Sequence, residues 1–314
     1  MDSLDSTTPA NAPRERDVRV LADGMAFPEN PRWHDGRLYL CDHLLGRVHV
    51  LEDDGLRLLA EVPGQPSGMG WTPAGEHLVV SMNDRRLLRL AGGELHAWAQ
   101  LGELVPGPLN DMVVGPGGRA YVGNFGSDLV GGEPFAPTVL VRVDPDGTAV
   151  VAAEDLSFPN GTVITPDGRT LIVAETYALR LTAFDVDSDG GLSNRRAWAT
   201  FGDPIPLPER PERVYEHVLS AGATVPDGIA LDAEGAVWVA DPVGDAVLRV
   251  AEGGAILDRV PTGELGSYAV ALGGANRRTL YVCANARLGT LKPGEDRLGR
   301  LLACAVEVPG AGWA

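Results

Sequence analysis

The sequence predicts an all-β fold, a six-bladed β-propeller with four-stranded antiparallel blades. Three observations lead there: one unit recurs six times, its copies are spaced as blades are, and no long stretch of helical periodicity competes.

The unit is a turn, a short apolar run, a Gly-containing turn, a second apolar run and a polar residue. The first copy runs from Phe27-Pro28-Glu29-Asn30 to Leu38-Tyr39-Leu40-Cys41-Asp42. The second runs from Gln65-Pro66-Ser67-Gly68 to Leu78-Val79-Val80-Ser81-Met82, and the third from Pro108-Leu109-Asn110-Asp111 to Ala120-Tyr121-Val122-Gly123-Asn124. Phe158-Pro159-Asn160-Gly161 leads to Leu171-Ile172-Val173-Ala174-Glu175, and Val225-Pro226-Asp227-Gly228 to Val237-Trp238-Val239-Ala240-Asp241. The last copy joins Gly266-Ser267-Tyr268-Ala269 to Leu280-Tyr281-Val282-Cys283-Ala284. A third alternating run follows most copies, as in Arg47-Val48-His49-Val50-Leu51, so each unit reads as a hairpin meander.

The positions that open the first apolar runs are 29, 67, 110, 160, 227 and 268, in steps of 38, 43, 50, 67 and 41 residues. A four-stranded blade takes about 40 to 50 residues, so the longest step carries an insertion. The blades fill the chain from about residue 18 to 308, giving a single domain over 18–314 after a polar, disordered tail over 1–17. Two packed sandwiches or a solenoid would not keep a polar residue at one fixed place in every unit, and ring closure disposes of sheet edges.

Composition agrees. Gly and Pro number 40 and 24, which suits many short elements, and 44% hydrophobic residues supply a core. A net charge of −17 repels phosphate backbones and anionic lipid, so neither nucleic acid nor a membrane surface is expected as a partner. Met1 to Asp17 has no apolar stretch of the secretory kind, and no run is long enough to span a bilayer. Cys41, Cys283 and Cys304 sit in apolar runs without C-x-x-C spacing and read as reduced core thiols. A cytoplasmic location follows as the expectation.

In antiparallel blades the start of the first strand and the end of the second lie on one face. Glu29, Ser67, Asn110, Asn160, Asp227 and Tyr268 are therefore expected at one mouth of the central channel, with Asp42, Asn124, Glu175 and Asp241 just outside them. Asn, Asp and Ser also favour turns, so any one of these carries little alone. Four oxygen donors at equivalent positions, Glu29, Asn110, Asn160 and Asp227, point to a hard divalent cation, Ca²⁺ first. Zinc is poorly served, because the six histidines show no H-x-x-x-H spacing. No G-x-S-x-G elbow, P-loop or dinucleotide fingerprint is present. Asp185-Val186-Asp187-Ser188-Asp189-Gly190 lacks the Glu of a Ca²⁺ loop and reads as a turn between outer strands. Residues 125–137 and 201–222 are irregular and should emerge on the same face, where they could wall a pocket.

These residues resemble the gluconolactonase, senescence marker protein and luciferin-regenerating enzyme family of six-bladed propellers over about residues 18–312. The resemblance rests on Phe27-Pro28-Glu29-Asn30-Pro31-Arg32-Trp33, Leu109-Asn110-Asp111, Pro159-Asn160-Gly161 and Pro226-Asp227-Gly228, whose order and spacing together are specific. It implies a divalent metal, often Ca²⁺, held by Glu29, Asn160 and Asp227, with Zn²⁺, Mn²⁺ or Mg²⁺ as the other choices. It implies that Asn110 contacts substrate, or joins the metal shell as in related propeller hydrolases, and that Asp227 accepts and donates the proton. One departure stands out: animal-type gluconolactonases carry an Arg two residues before that Asn, where this chain has Pro108. With Pro106, Leu109, Phe125 and Tyr268 nearby, a less polar substrate than a bare sugar lactone is expected.

The expected activity is metal-dependent hydrolysis of a lactone or related ester, a small-molecule substrate, with Asp227 as general base and Asn110 and Asn124 orienting the substrate. Two rivals remain at this level. One is a non-hydrolytic enzyme such as a strictosidine-synthase-like propeller, an isomerase or a cyclase. The other is a propeller that only binds a ligand or a protein.

Overall fold

The structure, a computed structural model, describes residues 16–128, 133–204, 218, 220, 222–287, 290, 292 and 297–311. Most of the expected tail (1–15), parts of the two irregular segments (129–132; 205–217, 219 and 221) and residues 312–314 lie outside the described residues.

The first strand in the chain, β1 (Arg19–Met25), belongs to the last blade. Blade 1 is β2 (Pro28–His34), β3 (Arg37–Asp42), β4 (Arg47–Glu52) and β5 (Gly55–Glu61). Blade 2 is β6 (Pro66–Trp71), β7 (His77–Ser81), β8 (Arg86–Ala91) and β9 (Glu94–Gln100). Blade 3 is β10 (Leu109–Val114), β11 (Ala120–Asn124), β12 (Thr138–Val143) and β13 (Ala149–Leu156). Blade 4 is β14 (Pro159–Ile164), β15 (Thr170–Glu175), β16 (Arg180–Val186) and β17 (Leu192–Thr200). Blade 5 is β18 (Ile229–Leu231), β19 (Val237–Val239), β20 (Ala246–Val250) and β21 (Ile256–Pro261). Blade 6 is β22 (Leu265–Gly273), β23 (Thr279–Ala286) and β24 (Gly299–Ala305), completed by β1 at its outer edge. The protein is thus a six-bladed β-propeller of four-stranded antiparallel sheets.

The burial pattern explains the apolar runs. Strands β7, β10, β11 and β14 are buried along their whole length because neighbouring blades cover both faces of each sheet. Leu78, Val80 and Leu87 of blade 2 pack with Val114, Val122 and Val141 of blade 3. Ile172, Ala174 and Leu181 of blade 4 meet Val237, Val239 and Leu248 of blade 5 in the same way. The three cysteines are buried and unpaired within this packing. Asp187 and Gly190 form the turn between β16 and β17, with the Gly190 N–H donating to Asp187 O at 2.8 Å.

Two features tie the ring together. β1 pairs antiparallel with β24, Arg19 opposite Ala303 and Met25 opposite Gly299. Beside it, Arg16 forms an ion pair with Asp258 and donates to Ala305 O at 2.8 Å. At the end of the channel away from the expected site, the Ala311 N–H donates to Leu231 O at 2.9 Å and Gly310 bridges Asp232.

Candidate active site at the channel mouth

The register shows how the axial side chains are aimed. Pro28 lies opposite Asp42, Pro66 opposite Ser81, Leu109 opposite Asn124 and Pro159 opposite Glu175. After these pairs, and in blade 1 after the further pair Glu29–Cys41, the ladder shifts, and the innermost strand carries one residue more than its partner before pairing resumes at Arg32, Met69, Met112 and Thr162. Blade 6 has the same shift between Ser267 and Ala269. A β-bulge therefore recurs at the axial residue, or directly after it in blade 1, and a bulge re-aims side chains out of the pleat.

The glycines of the repeat have a steric cause. A Cβ on Gly161 would stand 2.5 Å from Ile229 N, and one on Gly228 would stand 2.5 Å from Ala269 Cα. Gly68 has the same relation to Met112 N, at 2.3 Å. The innermost strands of adjacent blades approach so closely beside the axis that no side chain fits between them. Blade 1 has Asn30 instead, in the left-handed region at φ 49°, with its amide donating to Ser67 Oγ at 3.2 Å.

Glu29 is half-buried at the mouth, while Asn110, Asn160 and Asp227 are buried around it. Burial is the main force driving the Glu29 carboxyl up to about 8; the Asp111 charge adds to this, while the Asn30 N–H and Arg32 oppose it. Asp227 is also held well above the usual carboxylate range, by burial first and then by the charges of Glu29 and Asp111. A hydrogen bond from Asn160 works the other way. The Glu29 charge is thus one of the causes that keep a proton on Asp227.

The amides are oriented to match. Asn110 Nδ2 donates to Pro159 O at 3.3 Å and Asn160 Nδ2 to Thr176 Oγ1 at 3.3 Å. Among the described residues no protein donor reaches either Oδ1, so two amide oxygens stand with two carboxylates at one mouth. This all-oxygen set fits a hard cation such as Ca²⁺. It is not a cage of acids and histidines: no three His, Cys, Asp or Glu come together in that way among the described residues.

The outer ring does something the sequence did not disclose. Asp42 accepts from the Ala26 and Phe27 N–H groups at 2.9 and 3.0 Å, and Glu175 accepts from the Ser157 N–H at 2.8 Å. Asp241 accepts from the Val225 N–H at 3.4 Å. Each carboxylate at or just past the end of a second strand thus pins the segment that enters the first strand of its own blade. Burial lifts Asp241 to about 6 against three backbone N–H groups, whereas Glu175, despite its burial, is held low by Thr182, Ser157 and Arg180. Asn124, expected to orient a substrate, is wholly buried, and its amide is engaged by Val139 O, the Gly126 N–H and Thr138 Oγ1. It pins the start of the connection after β11 and is not open to the mouth.

Around the axial residues stands a tier of rings. Phe27 packs edge-on against Tyr268 at 4.8 Å, and Phe125 stacks on Phe158 at 4.7 Å. Phe158 also meets Tyr177, which packs edge-on against Phe135. Val218 and Val225 complete this apolar wall beside blade 5.

The profile of the SMP-30/Gluconolactonase/LRE-like region matches residues 27–286, which spans all six axial positions. The chain belongs to this family. It is 29% identical to the pentonolactonase XacC of Haloferax volcanii over 277 residues, 84% of each chain. It is also 29% identical to the 6-deoxy-6-sulfogluconolactonase of Pseudomonas putida over 306 residues, 93% of this chain and 95% of that one. Among solved structures, the calcium-binding protein regucalcin of Agrobacterium tumefaciens superposes with a TM-score of 0.74 at 23% identity, over 94% of this chain and 95% of that chain.

Within this SMP-30/gluconolactonase-type framework, sequence reasoning passed over Arg32 and Asp111. Arg32 is buried three residues beyond Glu29 and donates to Asp111 Oδ1 at 2.6 Å, Met112 O at 2.9 Å and Met69 O at 3.2 Å. The available signal was an arginine between Pro31 and Trp33 in an innermost strand, where a buried guanidinium must have an acceptor. Thr176 was also missed; its Oγ1 donates to Pro226 O at 2.9 Å and ties blade 4 to the approach to Asp227.

Proposed function

We propose that this chain is a divalent-metal-dependent hydrolase that opens a lactone or a related ester. The observation that carries the reading is the joint placement of Glu29 and Asp227 with the free Oδ1 atoms of Asn110 and Asn160. Lactonases among the relatives support it. Glu29, Asn160 and Asp227 would hold the metal, with Asn110 either beside them or on the substrate. Ca²⁺ suits an all-oxygen set best, with Zn²⁺, Mn²⁺ and Mg²⁺ as alternatives.

When bound, the cation supplies a positive charge that polarises the lactone carbonyl. Asp227 takes a proton from the attacking water on its carboxylate and returns it to the leaving alkoxide. Asn110 orients the substrate through its amide oxygen. Asn124 contributes indirectly, by holding the backbone that carries Phe125. The tier of Phe27, Phe125, Phe158 and Tyr268 offers apolar surface to the ring of the substrate and excludes water from it.

The test is pH-stat hydrolysis of a lactone panel by protein stripped with chelator and then given Ca²⁺, Mn²⁺, Mg²⁺ or Zn²⁺. Turnover that disappears with the chelator and returns with a metal is expected. Full turnover after stripping would remove the metal from the reading, and no turnover under any condition would remove the hydrolase.

A further inference from the structure

One side chain beside the mouth has a chemistry that the hydrolytic cycle leaves unused. His43 follows Asp42 at the end of β3, with its ring packed edge-on against Phe27 at 5.9 Å. Its Nδ1 lies 3.2 Å from Pro66 O. A carbonyl only accepts, so Nδ1 carries the hydrogen and the tautomer is set. Burial pushes the ring's pKa below its ordinary value, the Pro66 contact and the Asp42 charge opposing, so the ring is neutral near pH 7. Nε2 is then a lone-pair acceptor, and among the described residues no protein donor reaches it.

His43 lines a cavity of about 370 Å³ over blades 1, 2 and 3, a size within the range of small-molecule pockets. Two of its lining residues, Gln65 and Pro108, stand two residues before the axial Ser67 and Asn110 in the chain. The walls are of two kinds. Met82, Pro108 and Phe125 are apolar; His43, Gln65, Asn83 and Asp128 are polar. Asn83 Nδ2 donates to Gln65 Oε1 at 2.9 Å, which leaves Gln65 Nε2 as a donor and Asn83 Oδ1 as an acceptor. Gln65 itself is held in the left-handed region at φ 65°, a conformation costly for a non-glycine residue. The same tier elsewhere holds Phe27, Phe158, Val225 and Gly266, so the only polar side chain in it is Gln65, beside His43.

We propose that this cavity is a specificity pocket for a hydroxyl-bearing lactone, one hydroxyl donating to His43 Nε2 while the carbon skeleton lies on Pro108 and Phe125. The proposal rests on the lactonase reading. It gives the substrate class as amphipathic: hydroxylated on one side and apolar on the other.

Two measurements on the full chain with Ca²⁺ test it. In the first, the imidazole Nε2 resonance of His43, assigned by its absence from His43→Gln, is followed by ¹⁵N NMR while gluconate or hexanoate is added. Gluconate should move it and hexanoate should not. In the second, kcat/KM is compared for glucono-δ-lactone and δ-valerolactone. A neutral hydrogen bond of ordinary strength corresponds to a loss of about tenfold in His43→Leu on the hydroxylated lactone, carried by KM, and at most about twofold on the plain one. His43→Gln, which can offer an acceptor from the same place, should recover most of that loss. Equal losses on both lactones, or an Nε2 resonance indifferent to gluconate, would overturn the pocket. If neither lactone is turned over but gluconate still moves Nε2, the pocket stands and the hydrolase reading falls.

Discussion

Arg32 and Asp111 are joined across the channel by a 2.6 Å contact between the innermost strands of blades 1 and 3. Asp111 also accepts from the Met112 N–H at 2.7 Å. The pair is neutral in itself, so the charge of the mouth rests with Glu29 and Asp227, whose carboxyls both hold protons more tightly than usual. Arg32→Met leaves a buried carboxylate unpaired and should cost about 3–5 kcal/mol in urea unfolding. Adding Asp111→Asn to that variant should return part of the loss. A double variant no more stable than Arg32→Met would show that the two residues do not act as a pair.

The pH dependence of stability follows from Glu29. Its carboxyl rises from an ordinary 4.5 to about 8 in the fold. A carboxyl with a raised pKa stabilises the fold in its protonated form, so its contribution is complete below about pH 4.5 and is lost as pH climbs through about 8. The metal-free protein should therefore melt at progressively lower temperature across that window, and Glu29→Gln should flatten the slope. Ca²⁺ added near pH 7 should release protons, which calorimetry in two buffers of different ionisation enthalpy will count.

Asp227→Asn should separate chemistry from folding. Loss of a general base lowers turnover by about 10²–10⁴. Stability should hold or rise, since a buried carboxylate beside like charges is removed. Turnover within a few-fold of wild type would assign the proton transfer to another group.

Gly228→Ala tests the close approach at the axis. Its Cβ would meet Ala269 Cα at 2.5 Å, backbone that cannot swing aside. Overpacking of this kind should cost about 3 kcal/mol or more in urea unfolding. Gly102→Ala is the matched control: its Cβ would come no nearer than 3.7 Å to Arg85, an ordinary contact. Equal effects would refute a steric role for the repeat's glycine.

The propeller was legible because each blade repeats its chemistry locally, and the axial positions were legible because the repeat fixes their place in the strand. The bulges at Asn110 and Asn160 and just after Glu29 were not, since register belongs to the paired strand and leaves no mark on the single one. Arg32 and Asp111 are 79 residues apart, and only ring geometry brings them together. Asp42, Glu175 and Asp241 carry the right residue type at the right place, yet they grip backbone N–H groups, a partner that no motif displays. His43 stands next to Asp42 in the sequence, but its tautomer depends on Pro66 O in the next blade.

The latch between β1 and β24 imposes an order on synthesis. The two strands lie about 280 residues apart, so at about 5–20 residues per second the earlier one waits roughly 15 to 60 s for its mate to leave the ribosome. Throughout that interval Arg19–Met25 is an orphan edge, able to pair with any neighbouring nascent chain. Chaperone demand, and the yield of recombinant expression, should therefore track translation speed through the last blade more closely than the stability of the finished ring.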